Sequence, residues 1–92
     1  MKKKTASGFE FEVDDNVLDD MRLIDMLAAL MDDDTPEFQK VVAMPKLLTF
    51  ILGAEQKTAL YKMIANENGG RVPVEKVSAA LGEILTAQNA GN

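Results

Sequence analysis

Between residues 9 and 13 apolar and acidic side chains alternate. Phe9, Phe11 and Val13 fall on one side of an extended chain and Glu10 and Glu12 on the other, the period of a strand with one buried face. Residues 2–5 precede it across Ala6, Ser7 and Gly8, a short turn with a glycine available for positive φ. The pattern predicts a β-hairpin over residues 1–13. Its apolar side must rest on helices, because an isolated hairpin is barely stable in water.

The period then changes. Asp14, Asp15 and Asn16 supply N-cap candidates and negative charge for a helix start. Val17, Met21, Ile24, Ala28 and Met31 recur at helical spacing, with Leu27 and Leu30 widening the stripe. Asp19, Asp20, Arg22 and Asp25 fall mostly on the other side. A first helix over about residues 16–31 follows. Asp32, Asp33 and Asp34 end it, since carboxylates at a helix C-terminus oppose the macrodipole. Thr35 as N-cap, Pro36 at the first helical position and Glu37 in the first turn open a second helix. That helix carries Phe38, Val41 and Val42 before Pro45, which either breaks it near Ala43 and Met44 or kinks it there.

Helix resumes over residues 46–52, with Leu47, Leu48, Ile51 and Leu52 apolar, and Gly53 ends it. A third main helix over residues 54–66 turns Ala59, Leu60, Met63 and Ile64 inward. Residues 66–71, rich in Asn and Gly, form the clearest loop. Pro73 opens a last helix with Val74, Val77, Leu81, Ile84 and Leu85 on one face. Gly82 inside it costs about 1 kcal/mol relative to Ala, tolerable where a neighbouring helix packs close. Residues 87–92 are small and polar, and the end of the chain should fray. The predicted fold is mostly α with a short N-terminal β-hairpin, four to five helices packing as a small bundle. All 92 residues make one domain, divided into hairpin (1–13), bundle (15–88) and frayed tail (89–92).

Composition narrows the chemistry. There is no Cys and no His, which removes disulfides, thiolate nucleophiles, the commonest general base and the commonest metal ligands. Any catalyst would have to run on carboxylates, Lys or hydroxyls. The net charge is −5, which disfavours nucleic acid, whose phosphates must be met by Lys and Arg. The basic start at Lys2, Lys3 and Lys4 is followed by no apolar run of signal-peptide length. No stretch reaches the length of a membrane span. A cytoplasmic protein is expected.

Each candidate site has a simpler structural reading. Asp32, Asp33 and Asp34 lack the spaced ligands, central Gly and closing Glu of a calcium loop, and read as a solvated helix-ending loop. Asp14, Asp15, Asp19 and Asp20 lack the unequal environments that separate two carboxyl pKa values, and read as capping charge. Met21, Met26 and Met31 do not share one helix face at 3.6 residues per turn, so they are core filling and no Met-rich groove. Asn68, Gly69, Gly70 and Arg71 do not match a P-loop and read as a tight connection. No catalytic, metal or cofactor residue is expected, and the chain is read as no enzyme. What survives is apolar excess on the first helix and on residues 47–52. Surplus apolar surface points to a partner or to self-association, and the candidate contact residues are Leu23, Met26, Leu27, Leu30, Leu47, Leu48, Ile51 and Leu52.

The layout also resembles a family. The Lys-rich opening, the arm from Ser7 to Val13, and the acidic entry to a helix containing Leu18, Asp19, Asp20 and Met21 make its first half. Leu52, Gly53, Ala54, Glu55, Gln56 and Lys57, then Ala59, Leu60 and Tyr61, then Gly70, Arg71, Val72, Pro73 and Val74 make its second. In order and length this is similar to the small tail assembly chaperones of long-tailed phages and of prophages in Gram-positive bacteria, over nearly the whole chain and without any motif that carries chemistry. The resemblance implies a helix-rich, self-associating protein of the host cytoplasm, absent from the finished virion. It would coat the tape measure protein until tail tube protein polymerises around it, alongside a possible longer form of itself made by translational frameshifting. The alternative drawn from the acidic balance alone is a regulatory or adaptor protein that binds a basic protein surface, its binding weakening as salt rises.

Overall fold

The structure is a computed structural model that describes residues 2–14 and 16–90, the last two by backbone alone. The hairpin forms as the alternation predicts. Strands β1 (Lys2–Lys4) and β2 (Glu10–Glu12) pair antiparallel with Lys3 opposite Phe11. The turn closes through Gly8 N–H donating to the Thr5 carbonyl at 3.0 Å, with Gly8 at φ 97°. The Thr5 hydroxyl accepts from Phe9 N–H at 3.0 Å, which satisfies a buried polar side chain. Phe9 and Phe11 stack with centroids 6.0 Å apart, and with Val13 they are buried.

Three α-helices follow, where the sequence predicts four to five: α1 (Met21–Met31), α2 (Glu37–Glu67) and α3 (Val74–Ala90). The difference lies in the middle of the chain. The helix passes through Pro45 without a break. Its only non-helical residue is Gly53, at φ 81° and ψ 165°. There α2 turns, so that residues 37–52 and 54–67 form two arms. The predicted stop at Gly53 is thus a bend inside one element. The first arm begins at Glu37 with Pro36 at the N-cap and no side-chain cap, one residue later than expected. The second arm ends where Asn68 donates its side-chain amide to the Ile64 carbonyl at 2.7 Å. Gly69 and Gly70 take positive φ there, geometry that L side chains resist.

The predicted first helix over residues 16–31 is also corrected. Val17–Asp19 is a single 3-10 turn, and Asp20 is extended at φ −130° and ψ 120°. The Asp20 carboxylate accepts from Arg22 N–H at 2.9 Å, making Asp20 the N-cap of α1. The chain end differs too. Helix α3 continues to Ala90 and Gln88 is buried, its amide 3.4 Å from the Asp14 carbonyl. The rest of the expected frayed tail, residues 91–92, and the N-cap candidate Asp15 lie outside the described residues.

Helices α1 and α3 lie against α2, while β1 rests on α3 and β2 on α2. Leu23, Leu47, Leu48, Leu60 and Ile84 have no exposed surface and, with the hairpin aromatics, form one core. Two polar clamps fix the hairpin. Glu83 on α3 accepts from the Ser7 hydroxyl and N–H at 2.8 Å. Gln56 on α2 accepts from Glu12 N–H and donates to its carbonyl, both at 2.6 Å. The Gln56 amide therefore occupies the outer edge of β2 at Glu12 as a neighbouring strand would.

Candidate functional site

The apolar excess read from the sequence is real, but it lies on different residues. Leu23, Leu47, Leu48, Ile51 and Leu52, all expected at the partner surface, are buried in the core. Within the run at residues 47–52 the four Leu and Ile side chains are buried, Phe50 is half-buried and Thr49 is exposed. Met26, Leu27 and Leu30 are half-buried and pack against that core. The stripe expected to face inward does the opposite: Met21 is 67% exposed, Ile24 44% and Met31 78%, with Ala28 exposed between them. Spacings of three, four and three residues put these side chains on one face of α1. Phe38, 77% exposed, and Val42, 48%, add an i, i+4 pair on the first arm of α2.

Two apolar faces on one helix explain the exchange. At 100° per residue the Leu23, Leu27 and Leu30 face is rotated roughly a third of a turn from the Met21, Ile24 and Met31 face. Only one of them can meet α2. The Leu-rich face offers more apolar area than one containing Ala28, and it takes the core. Arg22 secures this rotation at the start of α1. Its guanidinium lies over the Phe50 ring at 5.1 Å and binds Asp20 through two hydrogen bonds of 2.8 and 3.1 Å. Those bonds, and the Arg22 N–H, hold the Asp20 carboxyl below its ordinary pKa of 3.8, and the Arg22 pKa is raised in turn.

Met31 joins the exposed stripe to a groove of about 360 Å³ between α1, the first arm of α2 and α3. Leu27 and Leu30 line it from α1, Val41 and Met44 from α2, and Val74, Leu81 and Leu85 from α3, with Glu37, Lys40 and Ser78 as its polar members. A Cβ added at Gly82, which also lines it, would have nothing within 4 Å. Here the glycine leaves a space that no neighbouring helix fills, where close packing was expected.

Among the described residues, no group of three or more His, Cys, Asp or Glu side chains is placed to hold a metal ion. No helix there is long and apolar enough to cross a membrane. Comparison of the chain with family models, with curated proteins and with solved structures gives no match. The arrangement leaves an exposed apolar stripe on α1 that meets, at Met31, a largely apolar groove.

Proposed function

We propose that this protein is a non-enzymatic assembly chaperone that binds and solubilises the tape measure protein of a long-tailed phage or prophage. The observation that carries the reading is the stripe Met21, Ile24 and Met31, exposed on a helix whose Leu-rich face, roughly a third of a turn away, is packed into the core. A protein that folds completely and still displays large apolar side chains at helical spacing has a surface matched to an amphipathic helix. Its net charge of −5 keeps the chain and a bound client from coalescing. The client's identity comes from the resemblance in layout to tail assembly chaperones. The proposed site of action is the host cytoplasm before tail completion, with the self-association that the resemblance implies made through another part of the chain.

Two observations test this. The reading frame should lie just upstream of a very long gene encoding a helix-rich protein. Co-expression with a fragment of that protein should raise the fragment's soluble yield and recover both in one complex. A fragment that stays insoluble and never co-purifies defeats the proposal.

A further inference from the structure

The groove has an electrostatic direction. Met31 and Glu37 line its end where α1 passes into α2, and the chain between them carries Asp32, Asp33 and Asp34, all exposed. Asp32 is engaged in the turn, its Oδ1 accepting from Asp34 N–H at 2.9 Å. Among the described residues the ion pairs are Lys2 with Glu10 and Arg22 with Asp20. These loop carboxylates and Glu37 therefore form no ion pair within 4.0 Å among the described residues. Lys40 is the single cationic side chain lining the groove.

We propose that the groove takes one amphipathic helix from a partner protein, apolar at i, i+3 or i+4, and i+7, with Lys or Arg at the end lying over Asp32, Asp33, Asp34 and Glu37. This rests on the client-binding function above and adds the chemistry and direction of the bound segment. The apolar walls set the side-chain period. The unpaired carboxylates set the direction, because interfaces match potentials of opposite sign and like charges brought together are costly. The same charge argues against a second copy as occupant. The exposed face of α1 contains Asp25 and ends in the acidic loop itself, and its one cation, Arg22, is already paired with Asp20, so a copy seated there brings unpaired carboxylates against carboxylates.

The test uses the full chain and two synthetic amphipathic helices that share one apolar face and carry Lys or Glu in one terminal turn. At low salt the Lys peptide should bind about tenfold more tightly than the Glu peptide. That advantage should shrink to about twofold near 0.5 M salt. Asp33→Lys with Asp34→Lys should reverse the preference. Gly82→Leu should weaken both peptides about tenfold by filling the groove, with circular dichroism unchanged because Leu favours helix over Gly. Equal binding of the two peptides at low salt, undiminished binding to the Gly82→Leu protein, or a dimer that Gly82→Leu dissociates would each overturn the proposal. If the peptides fail these comparisons while a client fragment is still held in solution, the groove inference alone falls. If neither peptides nor client fragment bind, the chaperone reading falls with it.

Discussion

Leu23 and Ile24 are adjacent in the chain and opposite in environment: Leu23 has no exposed surface and Ile24 is 44% exposed. Leu23→Ala removes a fully enclosed side chain from between α1 and α2, and such substitutions cost about 2–5 kcal/mol including the cavity left behind. Against a total stability of about 5–14 kcal/mol for a chain of this length, that is from about a seventh to all of what holds the fold. At about 4–8 °C per kcal/mol, the melting temperature should fall by about 8–40 °C. Ile24→Ala gives up only partial burial, roughly 0.5–1 kcal/mol, and gains a few tenths because Ala is the better helix former. Its net effect should stay within about 0.5 kcal/mol. Urea unfolding followed by far-ultraviolet circular dichroism measures both, with a constant m-value as the check that stability alone has changed. Were Met21, Ile24 and Met31 the buried face, the order would invert. An Ile24→Ala loss equal to or larger than that of Leu23→Ala refutes the orientation of α1, and with it the exposed stripe.

Other elements give independent tests. Gly53→Ala should destabilise by about 1–3 kcal/mol, because φ 81° with ψ 165° is a region essentially restricted to glycine; thermal unfolding reads it, and a neutral result removes the bend from α2. Gln56→Ala should cost about 1 kcal/mol and speed exchange of the Glu12 amide, the N–H that Gln56 accepts from; unchanged protection at Glu12 excludes the clamp. Asp20 has a folded-state pKa below 3.8, caused first by the Arg22 side chain. Its contribution is therefore complete above the unfolded carboxyl value and is lost as pH falls through the lower folded one. An NMR titration should place its midpoint beneath 3.8, and a midpoint at or above that value contradicts the contact.

The hairpin was readable because strict alternation, a turn glycine and an apolar face coincide within a few residues. The break at Gly53 was readable for the same kind of reason, since glycine there terminates a helical pattern. The orientation of α1 was not. Val17 is buried, and an unbroken helix from Asn16 would carry its phase onto Met21, Ile24 and Met31. Asp20 resets that phase by adopting an extended conformation and binding Arg22 with its side chain. An Asp beside an Arg carries no distinctive spacing, so periodicity runs straight across the break. Residues 47–52 escape the periodicity for a different reason. A nearly all-round apolar segment shows no preferred face, and only tertiary packing decides that Leu47, Leu48, Ile51 and Leu52 are buried while Thr49 is exposed. Pro45 is carried within an otherwise helical arm, where Thr49 donates its hydroxyl to the Pro45 carbonyl at 2.9 Å. The groove at Gly82 follows from α1 and α3 packing on α2 and leaving space between them, which only tertiary arrangement reveals.

The proposed client protection through the exposed face of α1 is best measured by light scattering of a purified tape measure fragment diluted from denaturant into increasing amounts of this protein. The wild-type chain should suppress aggregation in proportion to its concentration. The Met21→Glu, Ile24→Glu, Met31→Glu protein, altered only at exposed positions, should keep its circular dichroism and lose the protection. Aggregation that proceeds unchanged with the wild-type chain, or is suppressed equally by the triple variant, contradicts binding through this surface.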